Sequence, residues 1–191
     1  STLDDLAQGH FHTVIGDGNV IREFVTVHAG TAQDKGVTTI GDGNWLLAYS
    51  HIAHDCVIGN GTTFSNNAQL AGHVIIDDYA VLGGFVGVHQ FCRVGTHAML
   101  AAGSIVLQDV PPYVTVSGSP ATPRGTTSEG LRRRGFSGGD ISAIRRAYKT
   151  LYRQGLALED ARAAIAAAAG AVPELRARSA FLETPGRRLL R

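Results

Sequence analysis

From Ile40 onward, a bulky apolar residue returns at every sixth position: Ile40, Leu46, Ile52, Ile58, Phe64, Leu70, Ile76, Leu82, Val88, Val94, Leu100 and Val106. Four residues after each comes a second column, running from Ser50 and Cys56 through Ala68 and Ser104 to Val110. Its members are small, apart from one polar amide, Asn44. Upstream, Ile15, Ile21 and Val27 keep the same step, which "AGTAQDKGVT" (residues 29–38) interrupts. A strand alternates with period two and does not single out every third inward position. A helix of period 3.6 drifts off a strict six. A hexapeptide β-solenoid fits: three short flat strands per turn, with one bulky side chain per strand on the axis and one small residue at the corner. Three hexads then make one coil. Gly41, Gly59, Gly83 and Gly95, each directly after a bulky residue, are expected at the bends.

The step fades after "DVPPYV". Residues 113–135 read as a connector with turns, and the texture from Phe136 is helical. Ser137 with Asp140 forms a capping-box pattern, and Ile141, Ile144, Tyr148, Leu151 and Tyr152 mark one helical face. The Ala-rich stretch 158–169 reads as a second helix, and Pro173 opens a further turn. The expected organisation is an N-terminal segment (1–13), a β-helix domain (14–112) with an inserted loop at 29–38, the connector (113–135) and a small helical C-terminal domain (136–191).

A net charge of +1 conceals an asymmetry. Residues 1–123 carry three Lys/Arg against ten Asp/Glu, a balance of −7; residues 124–191 carry fourteen against six, or +8. The basic tail reads either as a solvated helical surface or as a docking face for an acidic partner or a phosphate. The acidic solenoid and the lack of interleaved aromatics argue against nucleic acid. No apolar run approaches the ~18 residues of a membrane helix, so stable membrane insertion is not expected and a cytoplasmic location is. Cys56 and Cys92 fall on small inward positions and read as core, not as a disulfide framework or zinc ligands.

In this register His54 stacks on Gly72 and then on Gln90, and Asp55 stacks on His73. His54, His73 and His89 are expected to share one flat side, with His51 at the adjoining corner and His28 one coil earlier. A lone histidine on a strand is ordinary surface; three beside a glycine read as a site. Gly72 leaves room beside the His54 imidazole, the geometry of a general base next to a backbone oxyanion donor, with Asp55 to orient the ring.

"HIAHDCVIGNGT", "NNAQLAGHV", "GGFVGVHQFCRVG", "QDVPPYV" and "EGLRRRGF" together resemble the acyl-carrier-protein-dependent UDP-N-acetylglucosamine O-acyltransferases, and "AIRRAYKTLYRQG" in the tail is also similar. The resemblance implies a left-handed parallel β-helix followed by a small α-helical domain. It implies a homotrimer with active sites between subunits, acyl carrier protein as donor, UDP-N-acetylglucosamine as acceptor, and no metal or cofactor. Carried over by motif, His54 is the general base, Asp55 its partner and Gly72 the oxyanion donor. His28, His51, His73, His89 and Gln90 become substrate contacts; Glu129, Arg133 and Arg134 contact the nucleotide and its phosphates. Ala102 stands where side-chain bulk sets acyl-chain length. The family carries further N-terminal coils, so a fragment or a short form is expected. It also has an acid and a lysine where this chain offers Asp4 and Asp5, and commonly Asn in place of Thr127. An N-acyltransferase on an amino-sugar nucleotide and an inactive trimeric scaffold remain as alternatives.

Overall fold

The computed structural model describes residues 11–184, 186 and 188–191, so Asp4, Asp5 and most of the N-terminal segment 1–13 lie outside the described residues. Three sheets, parallel except for the last strand of the second, wrap into a triangular solenoid. The first holds β1 (His12–Ile15), β4 (Val37–Ile40), β7 (Val57–Ile58), β10 (Ile75–Ile76) and β13 (Arg93–Val94). The second holds β2 (Val20–Ile21), β5 (Trp45–Leu46), β8 (Thr63–Phe64), β11 (Val81–Leu82), β14 (Met99–Leu100), β16 (Val114–Ser117) and β17 (Thr122–Thr126). The third holds β3 (Thr26–Val27), β6 (His51–Ile52), β9 (Gln69–Leu70), β12 (Gly87–Val88) and β15 (Ile105–Val106). The chain visits the sheets in that order in every coil. Ile58 pairs with Ile76 and Ile76 with Val94, each a step of three hexads.

The bulky column forms the axis. Leu46, Ile52, Phe64, Leu82 and Leu100 are 0% exposed. The small column is equally buried and fills the corners. Asn44, its one amide, is fully satisfied: its Oδ1 accepts from the Thr62 N–H (2.8 Å) and hydroxyl (2.6 Å), and its Nδ2 donates to Gly59 O (3.0 Å). Cys56 and Cys92 lie in this column on either side of Val74, all three buried. Burial pushes the Cys56 thiol up to about 12.

The bends fall two and three residues after each bulky residue, not directly after it. The third residue adopts positive φ in coil after coil: Phe24, Tyr49, Asp55, Asn67, His73, Tyr79, Phe85, Phe91 and His97, with glycine at Gly43, Gly61 and Gly103. Gly41, Gly59, Gly83 and Gly95 therefore precede the bends. They serve close stacking, since a Cβ at any of them would overlap the coil above. The left-handed conformation costs a non-glycine residue on the order of 1 kcal/mol. Stacking along the corners offsets that cost: Phe24 on Tyr49 at 5.0 Å, Tyr79 on His97 at 4.9 Å, and His73 on Phe91 at 4.6 Å.

The stretch 113–135, expected as a connector with turns, is structured. It holds the antiparallel hairpin of β16 and β17 and a short helix, α1 (Ser128–Arg133). Helix α2 (Gly138–Tyr152) begins at the Ser137–Asp140 capping box; α3 (Leu158–Ala169), a 3₁₀ turn at Pro173–Leu175 and α4 (Arg176–Glu183) follow. The helices are tied to the last coil by Arg178, which is 0% exposed and donates to Pro112 O (2.6 and 3.2 Å) and Ile144 O (3.2 Å). One of the fourteen tail cations is therefore interior and adds nothing to the surface charge.

Asn44→Ala should remove about 2–4 kcal/mol of unfolding free energy, because it strands the buried Thr62 donors and Gly59 O. Denaturant titration measures it; a loss under about 1 kcal/mol would show that the corner amide is dispensable.

Candidate active site

His54 and Asp55 are the two bend residues between the third and first sheets, and His73 is the matching bend residue one coil on. Of the three histidines expected on one flat side, His89 lies there, directly after β12, but His54 and His73 occupy the corner with Asp55; His51, expected at the corner, lies within β6 on the flat face. The cause is the bend position, two and three residues beyond Ile52 and Leu70. That geometry turns Asp55 (φ 59°) and His73 (φ 60°) over the corner in adjacent coils.

Asp55 is almost wholly enclosed, its side chain 1% exposed against 33% for His54. Its Oδ1 accepts from the Thr31 N–H (2.9 Å); its Oδ2 accepts from the Thr31 hydroxyl (2.6 Å) and meets His54 Nδ1 at 2.9 Å. Burial alone would push this carboxyl up. The Thr31 hydroxyl, His54 and the Thr31 amide outweigh burial, His73 adds to them, and the group sits below its ordinary value. An ionised carboxylate only accepts, so His54 Nδ1 carries a proton, and Nε2 is the acceptor whenever the ring is neutral. A Cβ on Gly72 would lie 2.6 Å from His54 Cε1 and 2.7 Å from Nε2, so only glycine leaves the ring its place. The coil-to-coil ladder takes the N–H groups of Ala71 and His73 and leaves out that of Gly72.

The remaining candidates fall into three groups. His28 and His51 form an edge-to-face pair at 4.6 Å on the third sheet, with His51 Nδ1 2.7 Å from the Thr26 hydroxyl. Burial and then the His28 charge hold the His51 imidazole below its usual value. A shallow groove of about 410 Å³ crosses this face past His51, Leu70, Val88 and His89. His89 Nδ1 lies 3.2 Å from Gln90 O, and Gln90 takes the bend position one coil beyond Gly72. Ala102 is exposed at the opposite edge of the third sheet, at the bend after β14. Glu129 and Arg134 line a different groove, of about 390 Å³, against the second sheet with Tyr79, His97, Met99 and Arg145; Arg133 is exposed in the last turn of α1. One chain thus brings His54, Asp55, Gly72 and His73 together and leaves Ala102 and the Glu129–Arg134 groove on other sides of the prism.

Reading the sequence missed Thr31, Asp34 and Thr38. Asp34 Oδ2 lies 3.1 Å from His73 Nδ1, and the Thr38 hydroxyl accepts the Asp55 N–H at 2.8 Å. A signal existed: the interruption begins two residues after Val27, the bend position that His54 takes one coil later. Among the described residues, His54, Asp55 and His73 form a group with metal-ligating atoms within 4.8 Å of one another. A cation there would have to displace the hydrogen bonds that Asp55 already accepts.

The domain model for "Udp N-acetylglucosamine O-acyltransferase; Domain 2" matches residues 109–190, and the "Bacterial transferase hexapeptide (six repeats)" model matches 38–72. The acyl-[acyl-carrier-protein]–UDP-N-acetylglucosamine O-acyltransferase of Thiobacillus denitrificans is 54% identical over 177 residues, 93% of this chain and 69% of its own length. That of Herminiimonas arsenicoxydans is 52% identical over 181 residues, 93% and 69% of the two chains. Francisella novicida UDP-N-acetylglucosamine acyltransferase superposes with a TM-score of 0.93 at 46% identity, over 95% of this chain and 66% of that one.

His97 supplies a pH prediction. Burial, and after it the Arg134 charge, lower its imidazole to about 4, against Asp78. The unfolded chain then binds the proton more readily than the folded one. Its contribution to stability is therefore complete above about 6.5 and is lost as pH falls toward 4. His97→Gln should flatten the melting temperature between pH 6.5 and 4; an unchanged slope would show that other groups carry it.

Proposed function

The chain belongs to the UDP-N-acetylglucosamine O-acyltransferase family, and from that premise we propose that it transfers a 3-hydroxyacyl chain from acyl carrier protein to the 3-hydroxyl of UDP-N-acetylglucosamine, the first step of lipid A biosynthesis. The observation that carries the reading is the His54–Asp55 pair facing Gly72 across one coil. His54 Nε2 takes the proton of the sugar hydroxyl as that oxygen attacks the thioester carbonyl. The oxyanion accepts a hydrogen bond from the Gly72 N–H. The C–S bond then breaks, and the leaving thiolate regains the proton from His54. Asp55 keeps the ring in the required tautomer and stabilises the imidazolium.

Substrate binding follows from the surrounding groups. His28, His51, His73, His89 and Gln90 contact the sugar and acyl chain, Glu129, Arg133 and Arg134 the nucleotide, and Ala102 limits acyl length. Because the last two groups sit on other sides of the prism, a complete site needs a second copy, and a homotrimer is the assembly that goes with it. The exposed corner aromatics Phe24 (69%), Tyr49 (54%) and Phe85 (70%) support such contacts. A cytoplasmic location accompanies this reading; among the described residues no helix is long and apolar enough to cross a membrane.

The test is acyl transfer by the purified chain from acyl carrier protein to UDP-N-acetylglucosamine, against the 3-amino acceptor as rival. His54→Ala should cut turnover by about 10² to 10⁴ while the chain stays folded. Preference for the amine would favour an N-acyltransferase, and no transfer to either acceptor a scaffold.

Acyl carrier protein is acidic, and Arg132, Arg133, Arg146, Lys149 and Arg153 are exposed on the helical tail. Attraction between exposed charges is screened over roughly 8–10 Å at physiological salt and acts mainly on association. The KM for the carrier-borne donor should therefore rise steeply with salt, and that for a short thioester donor only weakly. Arg146→Glu with Arg153→Glu should mimic high salt for the carrier alone. A flat salt response and a silent double reversal would reduce the tail to a solvated surface.

A further inference from the structure

The interruption of the repeat is a small structure with its own closure. In the regular coils β7 pairs with β10 across three hexads, Val57 opposite Ile75. The same step from His12 would reach Gly30, but β1 pairs with β4 and His12 stands opposite Val37, so seven positions are extra. Their neck is closed on β1: the Gly30 N–H donates to His12 O (3.2 Å) and the His12 N–H to Gly36 O (3.1 Å). The excursion lies over the catalytic corner. Thr31 and Thr38 are buried, at 6% and 0% exposure.

What it delivers there replaces what the solenoid supplies elsewhere. In later coils the N–H of the left-handed bend residue goes to a backbone carbonyl of the coil before: His73 to His54 O (3.0 Å), Phe91 to Gly72 O (3.2 Å), Tyr79 to Asn60 O (2.8 Å). At Asp55 the acceptor is instead the hydroxyl of Thr38, in β4 where the excursion rejoins the ladder (2.8 Å). The Asp55 carboxylate is gripped through both oxygens by the amide and hydroxyl of Thr31. That grip sets the carboxylate plane and leaves Oδ2 toward His54 Nδ1. Asp34, from the same excursion, holds His73 Nδ1 at 3.1 Å. The His73 ring stacks on Phe91, stands edge-on to His54 at 5.0 Å, and keeps its Nε2 4.0 Å from Asp55 Oδ2.

We infer that the seven-residue insertion, together with Thr38 of β4 just beyond its exit, is a positioning clamp for the acid–base pair, in which Thr31 and Thr38 orient Asp55 and Asp34 orients His73. The inference rests on the acyl-transfer reading of the His54 corner. None of the three clamp residues touches a reacting atom; each acts through a histidine or through Asp55. A base held by a carboxylate that is itself held loses less time in wrong rotamers and in the wrong tautomer. The Thr31 hydroxyl also helps keep Asp55 ionised against its burial, as the direction of its shift indicates.

The experiment compares Thr31→Val, which removes the hydroxyl and keeps shape and amide, with Thr31→Ser, which restores the hydroxyl. Asp34→Ala is a separate arm at a side chain that is 40% exposed and tolerant of change. His54→Ala serves as the inactive reference. Thr31→Val should lower kcat about 10- to 100-fold with both KM values nearly unchanged, the scale of losing one hydrogen bond to a charged group. Thr31→Ser should recover most of that loss. Ring ¹⁵N spectra of the unmodified chain, above the imidazole titration range, should show His54 as the Nδ1–H tautomer, and Thr31→Val should show a mixture. Asp34→Ala should lower kcat several-fold and shift the His73 ring signals without lowering the melting temperature. A folded Thr31→Val chain with unchanged kcat and an unmixed His54 tautomer overturns the clamp. If Thr31→Val does not fold, Asp34→Ala decides, and unchanged turnover with unshifted His73 signals overturns it there. Tautomer mixing in Thr31→Val, in a chain whose unmodified form transfers no acyl group, supports the clamp and overturns the functional reading instead.

Discussion

The structure depends on one constraint: each coil must lie flat on the next at the spacing of backbone hydrogen bonds, roughly 4.8 Å. To turn three times per coil on so short a pitch, the chain bends sharply at each corner, and the third residue after each bulky one from Ile40 to Leu100 takes a left-handed conformation. Glycine meets that demand at Gly43, Gly61 and Gly103. Elsewhere an aromatic, His, Asn or Asp accepts it. Because the same conformation recurs directly above and below, the side chains form columns and stack. Phe24 with Tyr49 and Tyr79 with His97 are such columns. Strain from the bend and attraction along the corner arise from one geometry.

The candidate catalytic corner is the column in which the stacked residues are chemical. Asp55, His73 and Phe91 follow one another in three coils, and His54 and Gly72 occupy the positions just before the first two. A flexible loop would leave these groups free to move relative to each other. Here the backbone ladder sets their separation, and the side chains inherit it. The glycine at position 72 matters because the coil above is so close: any side chain there would overlap the His54 ring. The same closeness buries Asp55, and that burial has to be answered by hydrogen bonds if the carboxylate is to stay charged. Thr31 supplies them from outside the repeat.

Much of this was legible in the residue order. The sixfold step identified the axis, and every bulky position from Ile40 to Val106 is buried in it. Counting by three hexads put Gly72 beside His54 and His73 beside Asp55, because a solenoid converts sequence separation into height. The capping box at Ser137 and Asp140 marked the start of the long helix, since both halves of that motif are local. Two readings were displaced by the bend position. The glycines after the bulky residues proved to serve stacking, and two of the three histidines expected on a flat side, His54 and His73, proved to be at a corner. Which of two adjacent positions bends is set by contact with the next coil, and that contact has no sequence period of its own.

The sequence by itself determined the solenoid, its rung length, the neighbours of His54 and the helical nature of the tail. Each of these rests on a repeat or on a motif spanning a few residues. Only the tertiary structure decided what the non-periodic parts do. The interruption at 29–38 carries no pattern, yet its folding back puts Thr31, Asp34 and Thr38 on the one corner that holds Asp55. Residues 113–135 read as turns, yet they build a hairpin and a helix that wall a groove on the second sheet, away from His54. Arg178 counted as surface charge until folding placed it, wholly buried, on the carbonyls of Pro112 and Ile144. A period fixes where a residue lies along the axis and on which side. Where a segment leaves the period, its position follows from the hydrogen bonds and packing it finds, which residue order alone does not contain.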